Sequence, residues 1–111
     1  MVEISYKRLD KLDDFEIALV HKISEREFGK VKRNLSNASL VVDVKKINPE
    51  GRRAAYEVKA RVDAPSLVLH GEHTDWELQR ALHRTFDNLK NEVERKFNKR
   101  KVKWPKRIIK E

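Results

Sequence analysis

Six apolar side chains constrain this fold more than any other feature of the chain. Leu78, Leu82, Phe86, Leu89, Val93 and Phe97 recur at spacings of four and three residues, which places them on one face of an α-helix. A helix that is apolar on one side only must bury that side against a second layer. The rest of the sequence supplies one. Tyr56, Val58, Ala60 and Val62 alternate with Glu57, Lys59 and Arg61, the period of a half-buried strand. Leu40, Val42 and Val44 alternate with Val41, Asp43 and Lys45, and Val2, Ile4 and Tyr6 alternate with Glu3, Ser5 and Lys7. Leu67 to His70 begins a fourth strand.

A second helix opens after Asp13, a candidate N-cap with Glu16 three residues on. Ile17, Val20, Ser24, Phe28, Val31 and Leu35 share one side of it, and Asn34, Ser36 and Asn37 end it. Thr74-Asp75-Trp76-Glu77 repeats the capping-box pattern before the Leu78 stripe. Asn48-Pro49-Glu50-Gly51 and Asp63-Ala64-Pro65-Ser66 are turns, and Trp104-Pro105 lies past the last helix, since Pro disrupts a helix interior. The expected architecture is α+β in the order β-α-β-β-β-α. One face of a four-stranded antiparallel sheet packs both helices, a layout resembling double-stranded RNA-binding domains.

At 111 residues with 39% hydrophobic content the chain is expected to fold as one domain, residues 1–101, followed by a basic tail, 102–111. It has no Cys, which excludes a disulfide framework, a Cys-ligated zinc and a Cys nucleophile. The first residues, MVEISYKRLD, lack the apolar run of a signal peptide. No apolar stretch reaches the roughly 18 residues that span a bilayer. A cytoplasmic protein without membrane contact, monomeric when free, is the expectation.

Charge points toward a partner. The net charge is +8, yet residues 1–75 hold 14 basic and 13 acidic side chains, whereas residues 76–111 hold 12 and five. From Arg95 to Lys110 there are nine Lys or Arg and no acid. Clustered cations of this density attract and steer polyanions; a solvated tail is the alternative reading. Opposite the Leu78–Phe97 stripe, Arg80, Arg84, Asn88, Asn91, Arg95 and Lys99 line up, with Glu77 beside them. Lys22, Arg26 and Arg33, with Lys30 nearby, fall opposite the apolar side of the first helix. Two helices on one side of a sheet would show both lines to the same solvent, where Arg and Lys one turn apart can meet successive phosphates. The candidate RNA-binding set is Lys22, Arg26, Lys30, Arg33, Arg80, Arg84, Arg95, Lys99, Arg100, Lys101 and Lys103. Trp104, among Lys101, Lys103, Lys106 and Arg107, either stacks on an unpaired base or folds back on the domain.

Catalytic patterns are weak. His70-Gly71-Glu72 has the His-x-Glu of zinc deaminases without their cysteines, and His70, Glu72 and His73 have no second ligand cluster. Asp13-Asp14 suits capping and the helix dipole. No Gly-rich phosphate loop, serine nucleophile motif or carboxylate pair is present. No enzyme activity, cofactor, metal or small-molecule substrate is expected.

The segments LVVDVKKI and YEVKARVDAP, a short strand, then an acidic turn into a long helix with Asp87, Leu89 and a basic end follow a known layout. EREFGKVKRNL, with Phe28, Lys30 and Val31, adds the end of a first helix. Over about residues 2–101 the chain resembles the ribosome hibernation promoting factors, also called ribosome-associated inhibitor or sigma-factor modulation proteins. The resemblance implies binding to the small ribosomal subunit and its rRNA, in the channel where mRNA and tRNA lie, and silencing of idle ribosomes under stress. By position, Lys30, Arg95, Lys99 and Lys101 match family basic sites. Asn88 and Asn91 stand where the family usually has Lys or Arg, and Phe97 replaces another basic residue. The tail has no counterpart, and the chain lacks the extra C-terminal domain of longer members, so it would be a short one. A general structured-RNA binder and a basic adaptor for an acidic protein remain as alternatives.

Overall fold

The computed structural model describes residues 4–35, 37–47, 53–65 and 67–101, with side chains at all of these except 34 and 97–101. Strand β1 (Ile4–Lys7), helix α1 (Asp14–Val31), strands β2 (Ser39–Ile47), β3 (Ala55–Ala64) and β4 (Leu67–Asp75) and helix α2 (Leu78–Lys101) follow in the expected β-α-β-β-β-α order. The strands form one sheet in sequence order. β1 runs parallel to β2, while β2–β3 and β3–β4 are antiparallel. The sheet is therefore mixed rather than antiparallel throughout. A helical crossover between β1 and β2 returns the chain in the same direction, whereas short connections reverse it.

Register puts every apolar row on one face. Leu40, Val62 and Leu69 lie side by side, as do Val42, Ala60 and Gly71, and all are buried. The helices cover this face: Val20, Ile23, Phe28 and Val31 of α1 and Leu78, Ala81, Leu82, Phe86, Leu89 and Val93 of α2 join the same core. The other sheet face is open. Its rows alternate charge, as in Lys7, Asp43, Lys59 and Glu72, which are neighbours on β1, β2, β3 and β4. Arg8 ties down Asp43 at 2.7 Å and Arg61 bonds Asp63 at 3.0 Å. Opposite charges placed across strands stabilise the sheet and cancel its field.

The α1 capping box forms as the sequence predicts. Asp13 Oδ1 accepts from the Glu16 N–H at 2.8 Å, and Glu16 Oε1 accepts from the Asp13 N–H at 3.0 Å. Glu16 also accepts from Lys46 Nζ at 3.1 Å and from the Tyr56 hydroxyl, fastening the start of α1 to β2 and β3. Burial and the Glu16 carboxylate push the Tyr56 phenol up to about 12.

The start of α2 differs from expectation. β4 continues to Asp75, so Thr74 is a strand residue and does not cap. Asp75 Oδ1 instead accepts from the Glu77 N–H at 3.2 Å, and Oδ2 accepts from Arg80 Nε at 3.0 Å. A strand feeding straight into the helix leaves no room for a Thr74 cap. Gly71 sets how closely α2 approaches β4: a Cβ there would lie 2.7 Å from the Thr85 backbone oxygen and 3.1 Å from Leu89 Cγ. The expectations at Val2, Asn48–Gly51, Ser66, Lys103, Trp104 and the rest of the tail lie outside the described residues. Among the described residues, no helix is long and apolar enough to cross a membrane.

Candidate nucleic-acid interface

The C-terminal halves of the two helices meet. Glu27 of α1, 5% exposed, accepts from Lys90 Nζ of α2 at 2.6 Å and from Lys30 Nζ at 3.5 Å. Burial alone would raise the Glu27 pKa; the two ammonium groups, Lys90 foremost, outweigh it and hold the carboxyl below its ordinary value. This contact closes a groove of about 260 Å³ lined by Lys30, Val31, Arg33, Lys90, Val93 and Glu94. The residues that converge on this end are strongly basic. Segments 26–34 and 90–101 together contain ten Lys or Arg against three acids, Glu27, Glu92 and Glu94. Glu27 is consumed by its own lysines, so the end presents a net positive field. The open sheet face carries Lys7, Arg8, Lys45, Lys59 and Arg61 against Asp43, Glu57, Asp63 and Glu72, and is close to balanced.

Each predicted residue has a distinct situation. Lys22 and Arg26 are exposed on α1, and Arg33 is exposed on the short 3-10 turn that follows it. No ion pair engages these three or Arg84 among the described residues. Lys30 is exposed and only loosely held by Glu27. Arg95 is exposed and bonded to Glu92. Arg80 is committed to Asp75 and reaches Glu77 at 3.7 Å. Its hydrogen bond, more than any other cause, draws the Asp75 carboxyl well below the usual range. Arg80 therefore holds the β4–α2 corner together. Lys99, Arg100 and Lys101 belong to the last turns of α2, but their side chains, like all of Lys103, lie outside the described residues.

The two basic lines share the helical layer but do not form one ridge. Arg80 and Arg84 line a pocket with His73, Thr74 and Asp75 of β4, and Asn88, Asn91 and Arg95 line another with His70, Gly71 and Glu72. The α2 line thus runs down the β4 flank, away from α1. Asn88 has a local task there: its Nδ2 donates to the Glu72 carbonyl at 2.8 Å, satisfying an edge-strand acceptor that has no strand beyond it. The His70-Gly71-Glu72 and His73 cluster does not assemble. Strand alternation sends His70 and Glu72 to the open face, while His73 turns the other way and meets Asp75 at 3.3 Å.

Sequence reasoning missed Lys90 and Trp76. Lys90 lies off the outer line, and only the contact with α1 gives it a role. Trp76 looked like a capping-box spacer; it is instead an exposed aromatic with the Arg53 guanidinium 5.7 Å from its ring centre.

No protein-family model matches the sequence, and no curated protein matches it. Solved structures do. The N-terminal domain of Thermus thermophilus Protein Y superposes with a TM-score of 0.56 at 20% identity, covering 85% of this chain and 96% of that one. A ribosomal subunit interface protein from Coxiella burnetii superposes with a TM-score of 0.51 at 14% identity, covering 89% and 97%. Both neighbours belong to the hibernation promoting factor family that the sequence resembles, and the chain shares their α+β fold.

Proposed function

We propose that this protein is a ribosome-associated RNA-binding protein that occupies the small ribosomal subunit and silences translation by occlusion, without catalysis. The observation that carries this reading is the basic end where α1 and α2 converge, ten cations against three acids. The fold shared with a ribosomal subunit interface protein supports the ribosome as the source of the polyanion. Lys22, Arg26, Arg33 and Arg84 act as free cations toward rRNA phosphates, and Lys30 and Arg95 exchange a carboxylate for a phosphate. Arg80 fixes the corner from which α2 starts. Lys99, Arg100, Lys101 and Lys103 extend the footprint from the helix end into the tail. Inhibition follows from exclusion: mRNA or tRNA and a basic protein cannot share one groove.

Co-sedimentation with purified small subunits at physiological salt tests binding, and stoichiometric recovery is expected. Arg33→Ala and Arg84→Ala should each weaken binding, flattening log affinity against log salt by about 0.7–0.9 units per lost phosphate contact. In a translation extract, peptide yield should fall in proportion to occupancy and recover with excess mRNA. Undiminished synthesis at full occupancy would refute occlusion, and absence from the subunit fractions even at low salt would refute the ribosomal partner.

A further inference from the structure

At the opposite end of α2 the structure carries a second arrangement suited to RNA. Trp76 is 52% exposed in the corner between β4 and α2. Two other large apolar side chains are exposed among the described residues, Phe15 and Val68, but no cation is recorded over the Phe15 ring, whereas the Arg53 guanidinium lies 5.7 Å from the Trp76 ring centre. Beside Trp76 opens a concavity of about 640 Å³, lined by Ala55, His73, Thr74, Asp75, Arg80 and Arg84. In its wall Asp75 accepts from Arg80, from the Glu77 N–H and from His73. That set of bonds neutralises the one carboxylate lining the concavity. Arg84, which has no ion pair among the described residues, lines the same space.

We propose that this corner holds one unpaired RNA base, stacked on Trp76, with Arg53 and Arg84 on the flanking phosphates. The chemistry is specific to a single strand. An indole offers a π-face that any unstacked base can cover, while a base inside a duplex has none free. The Arg53 guanidinium over the ring and a second cation lining the concavity suit the sugar-phosphate on either side of that base. An acidic peptide would match the arginines but leave the indole uncovered. The position extends the RNA surface. From Glu77 to Arg95 is eighteen residues of helix or about 27 Å at 1.5 Å per residue. The corner and the basic end thus grip two separate points of one RNA. The proposal rests on RNA as the partner, but it does not require the ribosome.

The chain has two tryptophans, Trp76 and Trp104, so a Trp104→Phe variant makes Trp76 the sole indole reporter. Titration with a single-stranded adenosine octamer should quench its emission saturably. The same octamer annealed into a duplex should leave the emission nearly unchanged. Trp76→Ala should weaken octamer binding roughly 5- to 140-fold, the range of one lost base stack, while the salt slope stays as in the parent. Trp76→Phe should recover part of the loss, and Arg84→Ala should weaken binding and flatten the slope. Trp76 is exposed, so unchanged circular dichroism is expected for both Trp76 variants. Equal quenching by duplex, no quenching by the octamer, or octamer affinity unaltered in Trp76→Ala would overturn the proposal. Quenching by polyglutamate but not by RNA would overturn it in favour of a protein partner. Sedimentation separates this idea from the ribosomal reading. Quenching by the octamer with no ribosome binding refutes only the latter, and ribosome binding without quenching refutes only the stack.

Discussion

Lys90→Ala should destabilise the protein far more than Lys30→Ala, although both remove a lysine from the same carboxylate. Glu27 keeps 7% of its side-chain surface in solvent, Lys90 35% and Lys30 50%. Lys30 is a surface partner at 3.5 Å, worth about 0–1 kcal/mol. Lys90 at 2.6 Å supplies the close charge and the hydrogen bond. Removing the partner of a fully buried charge costs about 3–5 kcal/mol. Solvent around Lys90 screens this pair, so about 2 kcal/mol is expected, roughly 8 °C in Tm for a chain of this size. The pH dependence has a definite sign. The folded-state pKa of Glu27 is lowered, so its contribution is fully present above the unfolded value near 4.3 and is lost as pH falls through the folded value. Urea denaturation of wild type, Lys90→Ala, Lys30→Ala and Glu27→Gln, at pH 7 and at pH 2.5, measures it. The gap between wild type and Lys90→Ala should shrink in acid, and Glu27→Gln should abolish the pH-dependent part of the gap. Equal costs for the two lysines at pH 7, or a Lys90→Ala gap that persists unchanged in acid, would refute the reasoning.

Gly71→Ala should cost about 1–3 kcal/mol by pushing α2 off β4, since the new methyl meets a backbone oxygen that no side-chain motion can clear; thermal melts check it. Asn88→Lys restores the basic type usual in the resembled family but removes the donor to the Glu72 carbonyl. It should lose about 0.5–1.5 kcal/mol of stability while steepening the salt dependence of RNA binding, as paired denaturation and binding titrations would reveal. Tyr56→Phe should cost about 1–2 kcal/mol and raise the Glu16 pKa. Burial raises that pKa, but the Tyr56 hydroxyl, the Asp13 N–H and Lys46 together hold it below its ordinary value. An NMR titration of the Glu16 carboxyl should show this, with the stabilisation present at neutral pH and lost in acid.

The architecture was legible because two periods are written without interruption. The Leu78–Val93 positions are buried as the stripe requires, and Val58, Ala60 and Val62 point to one side as alternation requires. The first capping box was legible because Asp13 and Glu16 need only each other and the local backbone. The second failed for a tertiary reason. β3 extends to pair with Thr74 and Asp75, and strand pairing overrides a cap that would form in an isolated peptide. The parallel β1–β2 pair escaped notice because alternation reports burial and says nothing of strand direction.

The site was legible only as a sum of charge. A basic residue looks the same in sequence whether it holds a carboxylate or faces solvent. Lys90 and Arg80 are held by Glu27 and Asp75, while Lys22, Arg26, Arg33 and Arg84 are free of ion pairs among the described residues. Packing makes that division, through contacts 63 residues apart for Lys90 and five for Arg80. Buried Glu27 absorbs the lysines that lie between the helices, Asp75 and Glu92 engage Arg80 and Arg95, and Arg26, Arg33 and Arg84 have no ion pair among the described residues. The same logic explains Asn88. A neutral amide there closes an edge-strand carbonyl beside a row of charges, so cationic character on this flank passes to Arg84 and Arg95, one on each side of it. On the proposed RNA-binding reading, binding strength on the β4 flank would depend on the spacing of two arginines rather than on a continuous basic ridge. Losing either one should cost more affinity than losing any single lysine of the tail.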